Sequence, residues 1–127
     1  MRLEEVQALV DSSVDLIAVS AEGLAESAIR AGKFLEVQAI LTTYLREVDE
    51  HMAKLTTLRD ATYATVLNKA EGKNVTEKKI NTEKEESYAQ IRQDLEMQLA
   101  LHEWVKGHIK IFENAHILYR SLSREGG

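Results

Sequence analysis

Between residues 41 and 66 the side chains Leu41, Leu45, Val48, Met52, Leu55, Arg59, Thr62 and Val66 follow one another at steps of four and three. That spacing is a heptad register, broken by polar members only in its last turns, and it puts every member on one seam of an α-helix. Nothing in the composition opposes a helix of this length, because the chain contains no proline. Its apolar side is carried by Leu, Ala, Val and Ile, with only 2 Phe and 1 Trp, so the expected fold class is all-α. No cysteine is present, which removes disulfide and thiolate chemistry. The opening Met1-Arg2-Leu3-Glu4-Glu5 lacks the pattern of a secretory signal, and no apolar run approaches the roughly 20 residues of a membrane-spanning helix. A cytoplasmic protein is expected.

The same periodicity organises the rest of the chain into one helical domain over 1–127. Leu3, Val6, Val10, Val14 and Ile17 form a stripe that predicts a first helix over about 2–19. Ser20 is the expected N-cap of a long second helix over about 21–70, with Gly32 as a weak point or C-cap. Gly72 and Asn74 are residue types that tolerate left-handed backbone, which predicts a tight turn over 71–75. Thr76 is then the expected N-cap of a long third helix over about 76–122, interrupted by nothing except Gly107. The expectation is a long antiparallel helical hairpin, coiled-coil-like, with an N-terminal helix.

The second half of the third helix carries two apolar stripes. Met97, Leu101, Trp104, His108, Ile111, Ala115, Leu118 and Leu122 keep an unbroken alternation, and Val105, Ile109, Phe112, His116 and Tyr119 run beside them. Together they make a face wider than one antiparallel partner covers. Homo-oligomerisation through Met97, Leu101, Trp104, His108, Ile111, Leu118 and Leu122 is expected, the alternative being an intramolecular bundle in which the N-terminal helix covers the extra width. Only a thin seam of Ile80, Tyr88 and Ile91 marks the first half.

Catalytic signatures are lacking. His102-Glu103 is followed next by His108, and a separation of six turns the second imidazole about 240° from the first, so the pair does not form a helical zinc site. Gly72-Lys73 stands outside any phosphate-loop pattern, and Asn74-Val75-Thr76 is a chance sequon. Carboxylates are scattered over polar faces, with no cleft expected to pair them. A non-enzymatic protein is expected, without metal or cofactor.

Charge is segregated instead. Residues 1–53 carry 4 basic and 10 acidic side chains, residues 54–84 carry 7 and 4, and residues 85–127 carry 5 and 7. The middle segment is therefore locally positive on a chain of net charge −5, and a local patch acts on a polyanion over a Debye length of roughly 8 to 10 Å. Lys69, Lys73, Lys78, Lys79 and Lys84 lie at or near the turn, Lys54, Arg59 and Arg92 further down the two arms, with Tyr63 and Tyr88 among them. Cations that follow phosphates and aromatic faces that stack on bases are the ingredients of single-stranded nucleic-acid binding. Lys54, Arg59, Tyr63, Lys69, Lys73, Lys78, Lys79 and Lys84 are the candidate contacts. Glu71, Glu77 and Glu83 dilute the patch, so repetition in an oligomer is needed for it to bind usefully.

The helix order, the opening Met1-Arg2-Leu3-Glu4-Glu5, the turn Glu71-Gly72-Lys73-Asn74-Val75-Thr76-Glu77-Lys78 and the closing Tyr119-Arg120-Ser121-Leu122 resemble the UvsY-type recombination mediators of phages. The resemblance covers most of the chain. It implies a phage accessory protein of DNA recombination or replication, acting in an infected bacterial cell. Such a protein binds single-stranded DNA, forms a ring-like oligomer and helps a recombinase displace single-strand-binding protein. Cations on the first arm would touch DNA, and Lys54 and Arg59 lie in the comparable stretch. Two other readings stay open: a helical adaptor or inhibitor of a host nuclease or recombinase that touches no DNA, and a structural coiled-coil assembly component.

Overall fold

The computed structural model describes residues 1–125, which are all-helical, with no strand among them. Four helices follow in order: α1 (Leu3–Ala18), α2 (Gly23–Lys69), α3 (Val75–Lys84) and α4 (Glu86–Glu125). The two long ones, α2 and α4, pack closely. Two compact units are distinguished, one formed by residues 1–46 with 103–127 and one by residues 47–102. No described helix is long and apolar enough to cross a membrane.

In the first unit α1 and the leading part of α2 meet the end of α4. Phe34, Val37, Leu41 and Tyr44 of α2 are buried with Val105, Phe112, Ala115 and Tyr119 of α4 and with Val6 and Val10 of α1. Phe34 stacks on Phe112 at a centroid distance of 6.0 Å and tilts against Tyr119 at 5.4 Å. Arg30 with Tyr119, the Ala31 carbonyl with His116 Nδ1–H at 2.7 Å, and Phe34 with Phe112 join rising α2 numbers to falling α4 numbers, so the helices run antiparallel here. The core of α4 is thus the second of its two stripes, joined by Ala115.

α1 is oriented differently from the expected stripe. Val6, Val10 and Ser13 are its buried residues, while Leu3 and Val14 stay exposed. The Ser13 hydroxyl is buried without a hydrogen-bond partner, an arrangement that costs about 1 to 3 kcal/mol. What ties the end of α1 down is Arg30, which is buried. Its guanidinium donates to the carbonyls of Leu16 at 3.2 Å, Val19 and Ser20 at 3.4 Å, to the Tyr119 hydroxyl at 3.3 Å, and to Glu26 Oε1 at 2.8 Å. A cation at a helix C-terminus meets carbonyls that have no partner of their own, and it opposes the negative end of the macrodipole. Burial alone pulls the Arg30 guanidinium down, but its hydrogen bonds to Tyr119 and Glu26 outweigh that and hold it above its ordinary value.

The start of α2 corrects the expected cap. Gly23 begins the helix with φ 90, a left-handed conformation that suits glycine, and the Glu22 N–H is accepted by Glu26 Oε2 at 2.6 Å. Ser20 lies before this turn. Chiefly through that bond, and further through Arg30, the Glu26 carboxyl is held below the usual carboxylate range. Gly32 neither caps nor breaks α2; it lies inside the helix with open space where a side chain would stand.

The second unit has the thinner core: Val48, Leu55 and Thr82 are its buried residues. The heptad seam of α2 does face inward, since Met52, Arg59, Thr62 and Val66 are all partly covered. Asp49 and His102, and Tyr63 and Tyr88, pair in the antiparallel sense.

Candidate nucleic-acid interface

The local structure around the turn differs from the expected geometry in three ways. Asn74, not Thr76, is the N-cap: it has extended backbone (φ −150), and its Oδ1 accepts from the Glu77 N–H at 2.8 Å. Glu77 therefore stands at the third helical position, where a carboxylate suits the helix dipole. Neither Gly72 nor Asn74 is left-handed, since Gly23 alone has positive φ among the described residues. Gly72 is required by a close approach instead, because a Cβ there would meet the Lys78 backbone nitrogen at 2.9 Å. The loop is pinned further by the Asn81 amide, which donates to the Glu71 carbonyl at 2.7 Å.

The third difference is that the expected helix over 76–122 is two helices. Glu85, extended at φ −66 and ψ 134, ends α3 by donating its N–H to Thr82 at 3.1 Å. Its carboxylate then caps α4, accepting from the Ser87 hydroxyl, the Ser87 N–H at 3.0 Å and the Tyr88 N–H at 3.2 Å. The Ser87 hydroxyl first, then the two backbone donors, hold the Glu85 carboxyl below its ordinary range. This break changes the face that α3 turns inward: Thr82 is fully buried, with its hydroxyl bonded to the Lys78 carbonyl at 2.7 Å, and Ile80 is exposed.

All the candidate DNA contacts fall in the second unit. Lys54, Lys69, Lys73, Lys78, Lys79 and Lys84 are exposed, and Arg59 and Tyr63 are half-buried. Arg59 is paired with its neighbour Asp60 at 3.1 Å, an exposed contact that contributes about 1 kcal/mol or less. The Tyr63 ring tilts against Tyr88 at a centroid distance of 5.3 Å, so the two rings stand as one aromatic pair. The basic stretch is also diluted by its surroundings. Over residues 47–102 there are 8 basic and 11 acidic side chains, a formal balance of −3. Charge counting along the chain assigns Glu85 and Glu86 to the next segment, although they directly follow the positive stretch and belong to the same unit.

Lys69 lines a cavity of about 630 Å³ that also contains Glu71, Asn81 and Glu85, so carboxylates offset its charge there. His102 lies 2.8 Å from Asp49, and no group of three or more metal-ligating side chains occurs among the described residues.

The expected assembly residues lie on α4. Met97, Ile111, Leu118 and Leu122 are 63%, 44%, 52% and 39% exposed, and Leu101, Trp104 and His108 are half-buried. Trp104 and His108 tilt against each other at 4.7 Å, with His108 Nδ1–H bonded to the Trp104 carbonyl at 2.9 Å. The stripe is therefore left largely uncovered within the chain.

Comparison with known protein families, characterised proteins and solved structures finds no match. What is defined is a class: an all-helical protein built on two closely packed long helices.

Proposed function

We propose that this is a non-enzymatic, self-associating protein that binds single-stranded DNA and serves phage recombination or replication, in the manner of a mediator that assists a recombinase or a single-strand-binding protein. The observation that carries the reading is the exposure of six lysines, Lys54, Lys69, Lys73, Lys78, Lys79 and Lys84, in the stretch 54–84, which is locally positive on an acidic protein. A single copy offers few cations against many carboxylates. Repetition supplies what one copy lacks, because linked weak patches act on one strand at high effective concentration. The uncovered stripe of Ile111, Leu118 and Leu122 supports that repetition.

The test measures binding of a labelled oligonucleotide at low salt beside the mass in solution. Lys73→Glu combined with Lys78→Glu is expected to weaken binding with the mass unchanged, whereas Trp104→Ala combined with Leu118→Ala lowers the mass and weakens binding through lost multiplicity. Wild-type protein that binds no DNA at tens of micromolar ends the reading. A second reading is a helical adaptor that binds another protein, and the balance of −3 over residues 47–102 favours it. Salt separates the two, since phosphate neutralisation makes affinity fall steeply with salt and an apolar protein interface does not.

A further inference from the structure

Two hollows on the second unit share Arg59 as a common wall. One, of about 360 Å³, brings Arg59 together with Arg92 of α4 and the apolar side chains Met52, Leu95 and Leu99. The other, of about 400 Å³, brings Arg59 together with Tyr63 and Tyr88. Two arginines from different helices thus border neighbouring hollows, one with apolar and one with aromatic side chains. Arg92 is exposed and enters no ion pair among the described residues. Arg59 pairs with Asp60, whose side chain is 68% exposed and which a phosphate can displace.

We infer that single-stranded DNA, on the reading proposed above, is seated on the flank of this unit in these two hollows, with the tip lysines adding only long-range attraction. A phosphate is held by Arg59 and Arg92, with one base against Met52, Leu95 and Leu99 and the next against the Tyr63 and Tyr88 rings. The chemistry favours the flank for two reasons. A guanidinium presents a planar fork that matches phosphate, which an ammonium does not. Base stacking needs apolar or aromatic faces, and Met52, Leu95, Leu99, Tyr63 and Tyr88 line the two hollows, whereas the cavity beside Lys69 has no aromatic ring among its lining residues. Asp60 and Glu83 line one hollow and Glu96 the other, so affinity per copy is modest.

The experiment is fluorescence anisotropy of a labelled oligothymidine with the full chain, across a salt series, with circular dichroism and solution mass checked for each variant. Arg92→Gln is expected to weaken binding at least fivefold and to flatten the salt dependence, and Lys78→Gln, which removes the same charge from the tip, to weaken it about twofold or less. Arg92→Lys is expected to recover little, since it keeps the charge and loses the fork. Tyr88→Leu is expected to weaken binding about fivefold with the salt dependence unchanged, as loss of a stacking face requires. Asp60→Asn is expected to tighten binding more than Glu77→Gln does, because it frees Arg59. Wild-type binding with equal losses for Arg92→Gln and Lys78→Gln, or full binding by Arg92→Lys, overturns the flank path and leaves the DNA-binding reading standing. Absence of wild-type binding overturns both.

Discussion

The two units use the same helices for different ends. In residues 1–46 with 103–127, aromatic rings fill the space between α2 and α4, and a buried arginine closes the end of α1. In residues 47–102 the buried set shrinks to Val48, Leu55 and Thr82, and hollows remain that are lined by charged, hydroxyl, apolar and aromatic side chains together. Stability follows the first pattern, because buried rings remove large apolar areas from water. Surface chemistry follows the second. The lesson is that a continuous heptad pattern does not mean a continuous core: past Leu55 the seam is occupied by Arg59 and Thr62, which seat the helix without filling its interior.

That contrast is open to attack by substitution. Phe112→Ala is expected to have the largest effect, a loss of about 3 to 5 kcal/mol in chemical denaturation, whereas Leu55→Ala, at the edge of burial, is expected to cost about 2 kcal/mol. Equal losses would erase the distinction between the units. A smaller change of opposite sign is expected for Ser13→Ala, which removes a buried hydroxyl that has no partner and raises stability by about 1 kcal/mol, read as an upward shift in Tm. Destabilisation there would mean that the hydroxyl is satisfied after all.

The smallest effect is the one with pH. Glu26 and Glu85 both have carboxyls held below the ordinary value of 4.5 in the folded chain. For a depressed folded value, the stabilisation is complete above the unfolded value and is lost as pH falls through the folded one. Stability is therefore expected to decline below about pH 4.5, and Glu85→Gln is expected to reduce the part of that decline that hydrogen exchange reports at the α3 to α4 junction. An unchanged exchange profile in that variant would remove Glu85 from the account.

Much of the helical content was legible from residue spacing alone, since long stripes such as Leu41 to Val66 leave no other period. The break at Glu85 was not, because Lys84-Glu85-Glu86 contains no glycine or proline and the cap forms only once the carboxylate folds back on Ser87 and Tyr88. Arg30 falls on the same helical face as Phe34, Val37 and Leu41, but the groups that satisfy its charge come from α1 and Tyr119, neither of which is a local neighbour. The choice between Val14 and Ser13 on α1, and between the two stripes of α4, is likewise decided by tertiary packing. For the candidate interface, counting charges finds the lysines. It does not find the pairing of Arg59 with Arg92, which needs the register between two helices.

The Arg30 contact also carries a consequence for synthesis. Its hydroxyl partner, Tyr119, lies 89 residues further along the chain. On the ribosome, therefore, α1 and the first turns of α2 emerge long before the group that completes their anchor, with Val6, Val10 and Phe34 still awaiting the rings of α4. α1 is made well before α4 and is secured only after it, so a nascent chain presents the apolar side of α1 until α4 arrives.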